Sequence, residues 1–169
     1  MNDALRPRQR RVEIRTALPA DAPRLAEIYA PIVSETPISF EESAPSAGEM
    51  ERRIAQTSPA YPWLVAVDRA GEVTGYAYAS AHRSRAGYRW SVDVSAYVAQ
   101  SARGGGVGKR LYGSLLRVLA AQRFYRAYAG IALPNDASIA LHRSAGFALV
   151  GTYRNVGFKC GSWRDVSWW

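Results

Sequence analysis

Apolar positions recur along this chain with two periods, and the switches between them mark out its elements. Residues 12–17 alternate Val12 and Ile14 with charged neighbours, which predicts a strand. Leu18, Pro19, Ala20 and Asp21 then predict a turn. Asp21 is the expected N-cap of a helix with Leu25, Ile28, Tyr29, Ile32 and Val33 at helical spacing. Residues 34–46 are too polar for core yet carry Ile38 and Phe40, and a second helix is predicted over 47–56. Residues 61–68 and 72–81 read as strands joined at Arg69, Ala70 and Gly71, and 87–98 as a further strand. Beyond a glycine-rich stretch, Leu111, Leu115, Leu116, Val118 and Leu119 predict a helix. A strand over 124–131, a turn at 133–136, a helix over 137–145 stopped by Gly146, and strands over 147–153 and 163–169 complete the chain. This order predicts an α/β fold, a mixed sheet covered by helices.

Composition narrows the class. A chain of 169 residues, 48% of them hydrophobic, has the size of one domain and buries a real core. Its net charge of +8 comes from 22 basic residues against 14 acidic ones, and only Lys109 and Lys159 are lysines. Residues 1–11 hold Arg6, Arg8, Arg10 and Arg11 without apolar period and read as a basic disordered tail, leaving 12–169 as the domain. The remaining positive charge is spread along the fold, which suits a small anionic ligand. No basic run interleaved with aromatics appears in the tail, so nucleic acid is not the expected partner. The tail leads into no apolar segment, and no apolar run approaches the roughly 20 residues of a membrane span. With Cys160 alone there is no internal disulfide, and a cytoplasmic location is expected.

The candidate chemistry centres on residues 97–111. A strand end, a loop carrying Arg103, Gly104, Gly105, Gly106, Val107, Gly108 and Lys109, and a helix start follow one another. Such a junction points unpaired N–H groups and the positive end of a helix dipole at one spot, as a pyrophosphate requires. Spacing separates the motifs that share this physics. A P-loop needs four residues between its first glycine and Gly-Lys, followed by a hydroxyl; here there are three, and Arg110 follows. The dinucleotide fingerprint would need glycine where Lys109 stands. Arg/Gln-x-x-Gly-x-Gly is met by Arg103, Gly106 and Gly108.

That motif resembles the acyl-coenzyme A loop of the GNAT superfamily of N-acetyltransferases. The segment from Asn135 through Ser138 and His142 to Gly146 and Phe147 is similar to that superfamily's second signature. With Tyr61-Pro-Trp-Leu-Val-Ala, Gly75-Tyr-Ala-Tyr-Ala, Tyr88-Arg-Trp-Ser-Val-Asp-Val and Gly157-Phe-Lys-Cys-Gly-Ser-Trp, residues 12–169 look like the phosphinothricin and methionine sulfone/sulfoximine N-acetyltransferases. The resemblance implies a twisted, mostly antiparallel sheet of about seven strands flanked by about four helices. It implies acetyl-CoA as cosubstrate without a metal, a small amino-acid acceptor and a homodimer. Tyr97, Val98, the loop from Arg103 to Lys109, Asn135 and Ser138 become the expected cofactor-binding residues.

The same resemblance distributes roles at the acceptor. An α-amino group, with a reference pKa of about 7.7–8.0, must lose a proton before it attacks a thioester. In the family a carboxylate on the strand before the loop takes it. The matching position is Asp93, where Glu is more usual, and the shorter side chain favours relay through a water. His142 stands where many relatives place a tyrosine that protonates the leaving thiolate, and its pKa range admits either acid or base. Arg83, Arg85 and Tyr88 match the connection that grips the acceptor's carboxylate, with Phe40 as a pocket wall. His82 is expected to help shape that pocket. Trp163, Trp168 and Trp169 read as core or subunit contacts. The alternatives are an acetyltransferase for another amine, such as a protein N-terminus, polyamine or aminoglycoside, and a non-catalytic protein that binds coenzyme A or nucleic acid.

Overall fold

The computed structural model describes residues 12–58 and 60–169; the expected basic tail lies outside them. Its strands are β1 (Glu13–Thr16), β2 (Trp63–Val67), β3 (Val73–Ala81), β4 (Ser91–Val98), β5 (Arg126–Tyr128), β6 (Gly130–Ala132), β7 (Gly151–Lys159) and β8 (Ser162–Trp168). The helices are α1 (Ala22–Glu35), α2 (Ala47–Thr57), α3 (Val107–Ala121) and α4 (Asp136–Ser144). One sheet runs β1-β2-β3-β4-β5 and a second runs β6-β8-β7. Every pairing is antiparallel except β4 with β5.

The period-two alternation of β3 and β4 assigns the two faces of the larger sheet. Gly75 approaches Leu111, so it lies on the α3 side, where Leu111, Leu115 and Leu119 are buried. Tyr76 and its register partner Tyr97 lie on the other side, where Tyr97 packs on Tyr29 of α1 at 4.7 Å between ring centroids. Asp93, opposite Ser80 and two residues from Ser95, shares that second face. α3 and the α1–α2 pair therefore sandwich the sheet, and Leu25, Val65, Ala77, Val92, Leu111 and Leu115 are wholly buried between them.

The sheets meet in a fork. β4 pairs with β5 only from Ser91 to Asp93, against Arg126 to Tyr128. After Ala129 the chain crosses to β8, so the expected strand over 124–131 is two strands in two sheets, which makes eight among the described residues. Along Val94 to Val98 the β4 edge facing away from β3 has no strand partner among the described residues. Two further expectations shift. The strand expected over 147–153 begins at Gly151, because Phe147 packs on Tyr112 and His142 and extends the end of α4. Asp21 does not cap α1 with its side chain; its carboxylate accepts from the Leu18 N–H at 2.7 Å and takes two bonds from Arg15.

Candidate active site

The glycine loop enters α3 through Gly104 and Gly106, with φ of +73° and +79°. In that left-handed region an L side chain costs about 1–2 kcal/mol, and nothing lies within 4 Å of where a Cβ would stand. The first bond of α3 runs from the Arg110 N–H to the Gly106 carbonyl at 3.1 Å. The N–H groups of residues 104–109 find no hydrogen-bond acceptor among the described residues. Six successive donors at a helix N-terminus, backed by its dipole, fit the diphosphate of coenzyme A. Gly108 matters for packing instead. A Cβ there would stand 3.0 Å from Leu141 Cδ2, so the glycine lets α3 and α4 approach.

Around this cradle opens a cavity of about 340 Å³. Tyr97 and Val98 of β4, Arg103, Gly104, Gly106, Val107, Gly108, Lys109, and Asn135 and Ser138 at the start of α4 all line it. The chain thus gathers the expected cofactor-binding residues at one site, except Gly105, which sits in the loop without lining the cavity. Asn135 caps α4 by accepting from the Ser138 N–H at 3.1 Å.

A smaller cavity of about 60 Å³ continues along the open edge of β4 to His142 and Tyr112. His142 Nδ1 lies 2.7 Å from the Ser138 carbonyl, which can only accept, so Nδ1 carries the hydrogen. Nε2 then accepts from the Tyr112 hydroxyl at 2.9 Å. Burial holds the His142 pKa below its ordinary value and pushes that of Tyr112 up, so both are neutral at pH 7. Tyr112 was not among the expected site residues. Its only signal is a phenol beside Leu111 in an apolar helix face.

On the other side of the fork lies a chamber of about 380 Å³ between Ile38, Phe40, Val156 and Trp168. Ile38 lines all three cavities, which makes the polar segment 36–46 part of the site. Tyr29 anchors that segment, with its hydroxyl 2.7 Å from Ser39 Oγ and 3.0 Å from Glu41, whose carboxylate also takes two bonds from Arg53.

Asp93 lines none of these cavities. Its Oδ1 lies 2.7 Å from His82 Nδ1, and the imidazole stacks on Tyr128 at 4.6 Å. Tyr88 meets the same ring edge-on at 5.9 Å, and Arg83 lies over Trp168, with its guanidinium 5.9 Å from the ring centroid. Phe40 therefore lines the chamber and Arg83 lies against its wall Trp168, while Tyr88 and Asp93 gather around His82, which meets that same Trp168 at 6.4 Å between ring centroids. Arg85 is exposed and bonds through its side chain to no described residue. Trp168 is a chamber wall as well as a sheet residue, and Trp163 is exposed against Phe158.

The profile of the Acetyltransferase (GNAT) domain family matches residues 14–168. The chain belongs to the GNAT acetyltransferase family. It is 43% identical over 162 residues to a phosphinothricin N-acetyltransferase of Streptomyces coelicolor, covering 94% of each chain. It is 37% identical over 155 residues to an L-methionine sulfoximine/L-methionine sulfone acetyltransferase of Pseudomonas paraeruginosa, covering 91% of this chain and 90% of the relative. A crystal structure of a phosphinothricin acetyltransferase from Sinorhizobium meliloti, in complex with acetyl-CoA, superposes with a TM-score of 0.89 at 41% identity, over 93% of this chain and 85% of that one. This GNAT enzyme is an acyltransferase, and acetyl-CoA is its acyl donor. No described helix is long and apolar enough to cross a membrane.

Proposed function

We propose that this acetyltransferase transfers acetyl from acetyl-CoA to the α-amino group of a small amino acid with a tetrahedral polar side-chain group. Phosphinothricin, methionine sulfone and methionine sulfoximine define the class, and the amine attacks directly in a ternary complex. The observation that carries this reading is the fork itself. A run of unpaired N–H groups lies on one side, and a chamber beside Arg83 and the Asp93–His82 pair lies on the other. The names of the relatives supply the acceptor class.

Each step then falls to a group already described. Arg83, with Arg85, holds the acceptor's carboxylate, and a guanidinium fork suits that anion. Phe40 and Tyr88 wall the side chain. Proton removal falls to the carboxylate of Asp93 and what it touches. The oxyanion accepts from a backbone N–H on the open edge of β4 near Val98, a donor type worth roughly 3–4 kcal/mol. The departing thiolate takes its proton from solvent by way of the Tyr112–His142 pair at the inner end of the smaller cavity. The working unit is a homodimer.

Release of free thiol from acetyl-CoA tests the reading, with methionine sulfone, methionine sulfoximine, phosphinothricin, the common amino acids, polyamines and a peptide with a free N-terminus as acceptors. Turnover with the first three, reduced at least about tenfold in Arg83→Ala by lost carboxylate binding, supports it. Turnover confined to the peptide or the polyamines would overturn the acceptor.

A further inference from the structure

We propose that His82, oriented by Asp93, takes the proton from the acceptor amine; this rests on the acetyl-transfer reading above. A carboxylate can only accept, so the 2.7 Å contact puts the hydrogen of neutral His82 on Nδ1 and the free lone pair on Nε2. Nε2 bonds to no described residue and is not among the buried unpaired atoms, so it keeps contact with solvent on the half-buried ring. An imidazole held by a carboxylate through one nitrogen and free at the other is the arrangement of a general base.

The surroundings fix that ring at the fork. Asp93 and Tyr128 form the last register pair before β4 and β5 part, and His82 stacks on that Tyr128. Tyr88 and Trp168 meet the ring edge-on, the latter at 6.4 Å between centroids. Arg83 donates to the His82 carbonyl at 2.8 Å and places its guanidinium over Trp168. The groups facing His82 are therefore Asp93 from β4, Tyr128 from β5, Tyr88 from the short helix before β4, and the neighbouring Arg83; Trp168 of β8 is neutral. Asp93 is the one carboxylate among them. The imidazole also supplies the reach that the short Asp93 side chain lacks.

In the step, the acceptor enters as the free amine, its ammonium proton already lost to solvent. The nitrogen pair forms the C–N bond to the thioester carbonyl carbon, the C=O pair moves onto oxygen, and the N–H proton goes to His82 Nε2. The oxygen pair then re-forms C=O, the C–S bond breaks with its pair on sulfur, and the thiolate takes a proton delivered from solvent by way of the Tyr112–His142 pair, which ends as it began. The imidazolium stays paired with the Asp93 carboxylate until it passes the proton to solvent.

The test uses the full chain with acetyl-CoA and methionine sulfone, following thiol release against pH in His82→Ala, His82→Gln and Asp93→Asn. Both His82 variants are expected to lose roughly 10²- to 10⁴-fold in kcat while acetyl-CoA affinity stays within about twofold. The acidic limb of the kcat/KM profile disappears, while the amine's own titration near 8 persists. Added imidazole restores at least about a tenth of the lost rate to His82→Ala, which a structural role would not allow. Turnover within about threefold of the parent in either His82 variant, or a persistent acidic limb without imidazole rescue, overturns the proposal and leaves Asp93 as the base. A parent chain silent toward every amino acid overturns the acceptor reading, and this one with it.

Discussion

His142 is buried in α4 with its Nδ1–H given to a backbone carbonyl, and the loss of water holds its pKa below the ordinary 6.5. The unfolded chain therefore binds a proton at that residue at pH values where the native chain does not. Stability contributed by neutral His142 is complete above about pH 6.5 and is lost as pH falls through that value. Asp21 and Glu41 act lower. Arg15 and Arg53 hold their carboxyls below the ordinary 3.8 and 4.5, so their contribution is lost only as pH falls beneath those values. Melting temperature should thus drop between pH 7.5 and 5.5, and His142→Gln should flatten most of that drop; an equal drop in the variant would refute the assignment. The same pair sets a catalytic expectation. Tyr112→Phe keeps the ring and removes the hydroxyl bonded to His142 at the smaller cavity, so kcat should fall by about 10²-fold with acetyl-CoA affinity retained. Unchanged kcat would mean that the thiolate departs without this proton.

Among the elements, β7 shapes the proposed acceptor chamber through a residue with no side chain. A Cβ on Gly157 would collide with the Phe40 ring, with its nearest atom 2.4 Å away, so the wall of the chamber rests directly on this strand. Lys159, two residues on, donates to the Glu41 carbonyl and ties the same segment down. Gly157→Ala should push Phe40 aside, raising the acceptor KM by about tenfold with acetyl-CoA binding unchanged. Parallel loss of acetyl-CoA affinity would show that the whole fork had moved. None of this is visible as periodicity. The four helices were legible because each carries its apolar stripe within its own segment, and α3 announced itself through the glycines before it. The division of 124–131 into β5 and β6 was not, since it depends on β8, a partner from the far end of the chain. The role of Ile38 was hidden in the same way: an isolated apolar residue in a polar stretch gains meaning only when three cavities meet at it.

For the molecule as a whole, the proposed coenzyme cradle could be read from one contiguous motif, whereas the proposed acceptor side is assembled from widely separated segments. His82 and Asp93 are brought together by the register of β3 with β4, and Trp168 arrives from the last strand. That last strand also carries the surface where a second copy is expected. In the β7–β8 hairpin Phe158 and Trp163 stand directly opposite each other, in contact at 5.5 Å between ring centroids, and both are exposed. Tyr153 and Val156 on β7, and Leu149 and Val150 just before it, are exposed as well. Apolar side chains gathered on one hairpin are the usual mark of an interface core. Light scattering on the eluted protein should give twice the chain mass. Phe158→Asp with Trp163→Asp should shift the population to monomer, because two buried charges cost several kcal/mol each. Tyr125→Asp, at the exposed residue that leads into β5, should leave the dimer intact. A dimer that survives the hairpin changes and dissociates with the Tyr125 change would move the interface to the opposite end of the larger sheet. Because β7 also supports Phe40, the hairpin variants should raise the acceptor KM as they dissociate the dimer, coupling assembly to the chamber rather than to the coenzyme cradle.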